Sequence, residues 1–225
     1  MDKEQKTSTN PFDRPEISKL FDVLMDKLLA ESGRGAVLIG TSYVDEHLTS
    51  FITDILPIQT KKYKEKMLNY PGPLSSFSSK IELLYAFRYI GEPLYASLNA
   101  LRRIRNDAAH SAVDFSFVEI KEKFEKVFSF ISPTFFVRNE ALGMMIKMKV
   151  DTLEELFERH NFDQEMRQKK AEEILANDEL LRKLEEEQLP HWQLILGLSI
   201  LCGVLAMKKD EVLKALRQRK SWGDK

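Results

Sequence analysis

Apolar residues recur at helical spacing along most of the chain. The first helix is predicted to begin with Asp13 as its cap and Pro15 in its first turn, and to end at Gly33. A second helix is predicted over residues 35–56, and Gly40 on its apolar face would let a neighbouring helix approach closely. The apolar faces consist of Ile17, Leu20, Phe21, Leu24 and Leu28 in the first helix, and Val37, Gly40, Val44, Leu48, Phe51 and Ile55 in the second.

Residues 73–110 predict two further helices that are joined at Gly91. Ser79 and Glu82 have the spacing of a capping box for the first of them, and Pro93 restarts the chain in the first turn of the second. The apolar face of the second helix gathers Leu94, Leu98, Leu101, Ala108 and Ala112.

Arg105 falls inside this apolar face, although a guanidinium cannot lose its proton. Because burial of an unpaired cation costs roughly several kcal/mol, we expect a carboxylate to meet it. Asp45, at the edge of the second helix's apolar face, is the first candidate partner, and Glu82 is the second. The same helical wheel places Asn106 and His110 on a neighbouring polar flank. The pattern therefore predicts either a structural ion pair or a functional site.

The second half of the chain also has helical periodicity. Residues 114–131 predict an amphipathic helix that Pro133 closes, and the pattern continues over residues 135–160. Residues 163–188 are dense in charge and have only a narrow apolar stripe, which is typical of an exposed helix or helical linker.

The most hydrophobic run begins at Trp192 and ends at Met207. Sixteen helical residues span roughly 24 Å, which is short of a bilayer core of about 30 Å, so the length favours a helix buried in protein. The flanking Trp192, Lys208 and Lys209 keep a membrane anchor open as the alternative.

No stretch of useful length shows the period-2 alternation of strands, so we predict an all-α fold, an antiparallel helical bundle with a helical C-terminal extension. The predicted divisions are a disordered N-terminus over 1–12, a helical domain over 13–160, a charged helical linker over 161–188, a hydrophobic helix over 189–207 and a basic tail over 208–225.

The composition excludes several classes of protein. With 34 basic and 35 acidic residues there is no overall electrostatic drive toward nucleic acid, so any such binding must be local. One cysteine forms no internal disulfide, and four scattered histidines supply no metal-ligand set; we expect no metal and no cofactor. The first ten residues have no apolar core and so resemble neither a signal peptide nor an anchor.

A cluster of lysines around Tyr63 is the one local basic patch. Lysines with an interleaved tyrosine can bind a phosphate backbone and stack a base, but a solvated connector is the alternative that we favour. The lysines are Lys61, Lys62, Lys64 and Lys66.

Three segments carry a family resemblance. The segment RNDAAH, from Arg105 to His110, resembles the Arg-x(4 to 6)-His motif of the HEPN superfamily. The segments LSSFSSKIELLYAF and SGRGAVLIGTSYVDEHL resemble the mannitol operon repressor family of bacterial regulators, and together the resemblance covers roughly residues 15–135. It implies a HEPN-like helical bundle and a cytoplasmic transcriptional regulator that acts through a protein partner or as a homodimer. The sequence contains no compact basic recognition helix, so it does not indicate direct DNA binding.

The HEPN motif implies a different function, metal-independent RNA cleavage. In that hypothesis His110 acts as general acid or base, Arg105 stabilises charge on a phosphoryl group and Asn106 orients either of them. Arg105 and His110 are about 140° apart on an ideal helix, so only the long arginine side chain could bring the two together. We favour the non-enzymatic regulator, because its resemblance covers several segments whereas the nuclease motif lies on one helix.

Overall fold

A computed structural model describes residues 15–57, 60–110, 115, 117–131 and 136–223, with the backbone alone for 118–122 and 219–223. Every regular element in these ranges is helical, which confirms the prediction of an all-α fold. The N-terminal residues 1–12, predicted to be disordered, lie outside the described ranges. The elements are α1 (Pro15–Leu28), α2 (Gly33–Ile55), α3 (Lys61–Leu68), α4 (Phe77–Ala86), α5 (Glu92–His110), α6 (Phe117–Val127), α7 (Phe136–Arg159), α8 (Gln164–Leu175), α9 (Asp178–Lys183), a π-helical turn (Leu184–Gln188) and α10 (Leu189–Gly223).

The hydrophobic helix α10 lies at the centre of the core. It packs against α2, α1, α7 and α6, and its first half, residues 189–207, is apolar around most of its circumference. A helix of this composition is buried when it folds in water, because it has no polar face to present to solvent. The buried hydrophobic residues of α10 are Leu189, Trp192, Leu194, Ile195, Leu196, Leu198, Ile200, Leu201, Cys202 and Leu205.

The helical stretch Asp178–Gln218 is long and apolar enough to cross a membrane by length and composition. In the fold, 78% of its most hydrophobic window is buried inside the protein. The stretch 189–207, which the sequence sets apart as an extension, therefore shares one core with α1 to α7. Residues 208–223 continue α10 and do not form a separate tail.

Two glycines allow α10 to pack closely against its neighbours. A Cβ atom added at Gly40 would lie 2.4 Å from Cδ1 of Leu198, and one added at Gly197 would lie 2.1 Å from Cε1 of Phe128. Real Cβ atoms do not approach other atoms so closely. The predicted close approach at Gly40 is thus present, and the side chain that uses it is Leu198 of α10.

The start of α2 differs from the prediction. Ser32 is the cap, and its Oγ accepts a hydrogen bond from the Gly35 amide at 3.1 Å. Gly33 consequently opens α2 and does not end α1, which stops at Leu28. The Phe117 ring of α6 explains why a glycine stands at position 33, since a Cβ atom there would lie 3.1 Å from this side chain.

The cap of α4 also lies one turn earlier than predicted. Ser76 Oγ accepts from the Ser79 amide at 3.0 Å, so Ser79 is inside the helix and does not form a capping box with Glu82. The helix ends at Ala86, and Arg88 then adopts the left-handed conformation with φ 59° that commonly terminates helices. As expected, α5 starts directly after Gly91.

The lysine-rich segment forms the short helix α3. Its Lys64 Nζ donates to the Thr53 carbonyl at 2.6 Å, which satisfies an orphan acceptor in the last turn of α2. Lys209 of α10 lies 3.0 Å from Asp54 in the same turn, so two cations stabilise this helix end.

Candidate functional site on α5

Helix α5 buries one face and exposes the residues of the sequence motif. The buried positions include Leu98, Leu101 and Ala108, as predicted, but Ile104 replaces Arg105 in this face. Ile104 is 1% exposed, whereas Arg105 is an exposed residue. The prediction of a buried Arg105 is therefore wrong. The buried face is rotated toward the isoleucine, which enters the core without the desolvation penalty of a guanidinium.

The predicted carboxylates have other partners. Asp45 Oδ1 lies 2.7 Å from Nζ of Lys80, which is 3% exposed and comes from α4. Glu82 accepts hydrogen bonds from the Tyr95 hydroxyl at 3.0 and 3.2 Å. Among the described residues, no ion pair joins Arg105 to Asp45 or Glu82. The contact between α2 and α4 brings Lys80 to Asp45. The buried cation is therefore Lys80 of α4 and not Arg105 of α5.

Sequence reasoning missed Lys80, although the sequence contains a signal for it. Lys80 follows Phe77 by three residues and precedes Leu84 by four, which is the spacing of one helix face. A lysine inside an apolar stripe is the same kind of evidence that drew attention to Arg105.

Two tyrosines, Tyr85 and Tyr95, link α4 to α5. The rings of Tyr85 and Tyr95 stack with centroids 4.0 Å apart. The Tyr85 hydroxyl donates to Glu92, and this hydrogen bond raises the pKa of Tyr85 above its ordinary value. The hydrogen bond to Glu82 does the same for the pKa of Tyr95. These contacts fix the start of α5 on α4.

Arg102 lies in the interface between α4 and α5. Its Nη1 is 3.3 Å from Oγ of Ser78, and its Nε is buried without a hydrogen-bond partner among the described residues. This donor is the residual polar cost of packing the two helices together. The three arginines of α5 therefore have different environments. Arg102 lies in the interface, whereas Arg103 and Arg105 are exposed to solvent.

The motif residues form an exposed strip at the C-terminal end of α5. Arg105 and His110 are exposed, and Asn106 is half-buried. Arg105 Nη1 lies 3.4 Å from Oδ1 of Asn106, a long hydrogen bond that leaves most of the guanidinium open to solvent. We call Arg105, Asn106 and His110 the α5 strip. The predicted apolar position Ala112 lies outside the described residues.

A salt bridge fixes the helix surface beside the strip. Asp107 Oδ2 lies 2.7 Å from Nζ of Lys123 on α6, and both side chains are about half exposed. This pair ties α5 to α6 without using any member of the α5 strip. Helix α5 therefore packs on the protein by its opposite side, and the α5 strip remains open to solvent.

The lysines of α3 divide into two kinds. Lys64 is half-buried and bonded to Thr53, and Lys61 lies 3.8 Å from Glu65 within its own helix. Lys62 and Lys66 are exposed, with Tyr63 49% exposed between them. The patch thus offers fewer cations to a phosphate backbone than the sequence suggests.

Two surface grooves lie away from the α5 strip. One has a volume of about 430 Å³ between the turn after α4 and the end of α10, where Phe87, Arg88 and Lys208 line it. The other, of about 290 Å³, lies between α7 and the π-helical turn, next to Leu189. In the part of the chain that the structure describes, no three His, Cys, Asp or Glu side chains gather as a metal site.

Comparison with known proteins assigns no family. No protein-family model matches the chain, and no match was found among curated proteins or among solved structures.

Proposed function

We propose that the chain is a regulatory binding module whose α5 strip contacts a macromolecular partner. The resemblance to the mannitol operon repressor family supports a protein as the partner and a role as repressor of a sugar-alcohol operon. The observation that carries the proposal is the exposure of Arg105 and His110 on a helix whose other face is buried. Arg105 is not used in an ion pair with Asp45 or Glu82, so its charge is available for binding.

The open geometry of the strip favours a macromolecule over a small ligand. Small-molecule sites are usually concave and bury most of the ligand, whereas the strip lies on the outer face of a helix. An arginine on such a surface is well suited to carboxylate or phosphate groups, because its planar fork donates two parallel hydrogen bonds.

A cytoplasmic location is part of this proposal. The burial of α10 by α1, α2, α6 and α7 supports it, because these contacts would have to break before the helix could enter a bilayer. Fractionation of cells that express the full chain tests the location. Recovery only in the membrane pellet would contradict it.

A reporter strain tests the regulatory function. The full chain is expressed in bacteria that lack their own mannitol repressor and have a reporter under the mannitol operon promoter. The wild type should lower reporter output, and Arg105→Ala should restore it, because the strip then lacks its cation. Arg103→Ala is the control and should lower reporter output as the wild type does, since Arg103 is an exposed arginine on the same helix outside the strip. Equal reporter output with and without the wild-type chain would contradict the operon assignment.

RNA cleavage is the second candidate function. The observation that favours it is the exposure of Arg105 and His110 within two turns of one helix, with the Asn106 amide beside the guanidinium, so that a charge stabiliser and a general acid or base are both open to solvent. In this reaction the RNA 2′-oxygen bonds to the adjacent phosphorus and the bond from phosphorus to the 5′-oxygen of the next nucleotide breaks, which leaves a 2′,3′-cyclic phosphate and a free 5′-hydroxyl. His110 serves either as the base that takes the proton of the 2′-hydroxyl or as the acid that protonates the leaving 5′-oxygen, water serves in the other role, and Arg105 stabilises the charge on the phosphoryl oxygens.

A metal-free cleavage assay separates the two functions. Purified chain is incubated with structured and single-stranded RNA in a chelator. If the strip is catalytic, Arg105→Ala and His110→Ala each lose about 10²- to 10⁴-fold in rate, while Arg103→Ala and His160→Ala keep the wild-type rate. Circular dichroism checks that all variants are folded. The regulatory function predicts no cleavage by any of them.

A further inference from the structure

The turn after α4 holds an arginine in a backbone conformation that glycine usually adopts. Arg88 has φ 59°, and its amide donates a hydrogen bond to the Tyr85 carbonyl at 2.8 Å. The Tyr89 amide donates to the Leu84 carbonyl at 2.9 Å, so α4 ends in a Schellman motif with Arg88 at its left-handed position. Glycine fits this position without steric cost, because it has no Cβ atom. Strained residues of this kind cluster at functional sites, so the Arg88 side chain is a candidate for binding.

The Arg88 guanidinium is not used within the described part of the chain. The side chain is exposed, and no ion pair or hydrogen bond to a described residue engages it. It therefore does not donate to the last carbonyls of α4, which is the usual structural role of a basic residue at a helix end. Arg88 lines the groove of about 430 Å³ between the turn after α4 and the end of α10. We call this cavity the α4–α10 groove.

Three aromatic rings stack from the core out to the α4–α10 groove. Phe51 is 0% exposed, and its ring stacks on that of Tyr89 with centroids 6.3 Å apart. Tyr89 in turn stacks on Phe87 at 5.7 Å, with an angle of 16° between the two rings. Phe87 is 61% exposed and lines the groove. The outermost ring is thus held by the two rings behind it, and it offers a stacking surface to a further planar ring.

Helix α10 forms the other wall of the groove. Val212 and Leu216, four residues apart on one helix face, supply apolar side chains. Lys208 and Glu211 also line the groove, and Nζ of Lys208 lies 2.7 Å from the Glu211 carboxylate. Because these two charges compensate each other, the groove has one net positive charge, that of Arg88. Its volume falls within the roughly 300 to 1,000 Å³ of sites for small molecules.

We propose that the α4–α10 groove binds a small aromatic monocarboxylate. The aromatic ring of the ligand stacks on Phe87 and packs against Val212 and Leu216, and the ligand carboxylate accepts two parallel hydrogen bonds from Arg88. One net positive charge matches a monoanion, whereas the second charge of a phosphate ester meets the Glu211 carboxylate. The groove contains no residue of the α5 strip, so this site does not depend on the proposed function.

Nuclear magnetic resonance of the full chain with naphthylacetate as the probe tests the site. The probe should shift the amide signals of Arg88 and Tyr89 and the Nε signal of Arg88, with a Kd of about 0.1 mM for a ligand of this size. Naphthylacetamide has the same ring without the charge and should bind about 10-fold more weakly. Equal binding of the acid and the amide, or no shift of these signals at millimolar probe, would overturn the proposal.

Arg88→Gly removes the cation and suits the left-handed backbone. It should melt at the same temperature as the wild type or higher, and it should bind naphthylacetate about 10-fold or more weakly. Arg217→Ala is the matched control, since it removes an exposed cation of α10 that does not line the groove, and it should bind as the wild type does. Phe87→Leu keeps an apolar side chain without the ring and should weaken binding by about 3- to 10-fold. Wild-type affinity in Arg88→Gly contradicts the assignment.

Glu211→Gln tests the charge balance of the groove. The variant leaves Lys208 without its counter-ion, so the groove gains a second net positive charge. Naphthyl phosphate, which is a dianion at about pH 8, should bind this variant about 5- to 10-fold more tightly than the wild type. Thermal melting confirms that the variant is folded. Equal affinity of the two proteins for naphthyl phosphate contradicts the preference for a monoanion.

Discussion

Lys80 Nζ and Asp45 Oδ1 lie 2.7 Å apart and join α4 to α2. The two partners differ in their surroundings, since the Lys80 side chain is 4% exposed and the Asp45 side chain is 35% exposed. Water can therefore solvate the carboxylate but hardly reaches the ammonium. Loss of one partner should consequently have a different effect from loss of the other.

Asp45→Ala should lower the free energy of unfolding by about 3 kcal/mol, near the low end for a broken buried pair, because a buried ammonium remains without its partner. Lys80→Met should stay within about 1 kcal/mol of wild type, since the remaining carboxylate is partly hydrated and the new side chain fits an apolar site. Urea unfolding measures both. Equal losses in the two variants would contradict this asymmetry.

Alanine substitutions at two helical glycines should have opposite effects. Gly197→Ala gains helix propensity but drives its Cβ into the ring of Phe128, which is 3% exposed, and should destabilise the fold by about 1 to 2 kcal/mol. Gly143→Ala on α7 meets no atom within 4 Å and should stabilise by about 0.5 to 1 kcal/mol. Thermal melting at one pH compares them. A stable Gly197→Ala variant would mean that α10 and α6 are not in close contact.

Cys202 reports on the packing of α10. It is 0% exposed, and burial raises the pKa of its thiol above the ordinary range. A neutral, inaccessible thiol reacts slowly, so a thiol reagent at pH 8 should label Cys202 only as fast as the core opens. Complete labelling is expected in urea. Ala109→Cys, at an exposed site on α5, supplies a thiol that reacts at once. Rapid native labelling of the wild type would contradict a buried α10.

The tyrosine pair predicts a pH dependence at the alkaline end. The folded-state pKa of Tyr85 is raised by its hydrogen bond to Glu92, so this contact stabilises the fold fully below the unfolded pKa of about 10. The contribution is lost as the pH rises through the folded pKa. Glu92→Gln should lower the pKa of Tyr85, and Glu82→Gln should lower the pKa of Tyr95. Carbon-13 NMR of the tyrosine Cζ atoms follows each titration.

The sequence predicts best the helices in which apolar residues recur on one face at helical spacing. The class of fold and the buried faces of α1 and α2 follow from that spacing alone. Boundaries are less certain, since several residues near an end can act as cap. Ser76 and Ser79 are both plausible caps for α4, and only the contact of Ser76 with the Ser79 amide decides between them.

The identity of buried polar partners could not be predicted. Arg105 and Ile104 are neighbours on α5, and a rotation of the buried face by one position exchanges their environments. That rotation depends on how α2, α4 and α6 pack against α5, which is a tertiary property. The periodicity of one helix contains no information about it.

The central position of α10 has a consequence for biosynthesis. This helix follows every other described helix in chain order, yet it covers the apolar faces of α1 and α2. Contacts such as that of His191 Nε2 with the Glu31 carbonyl, 3.0 Å apart, close loops of about 160 residues. The apolar surfaces of the helices that leave the ribosome first therefore stay uncovered until α10 emerges. During this interval the nascent chain exposes apolar surface of the kind that chaperones bind.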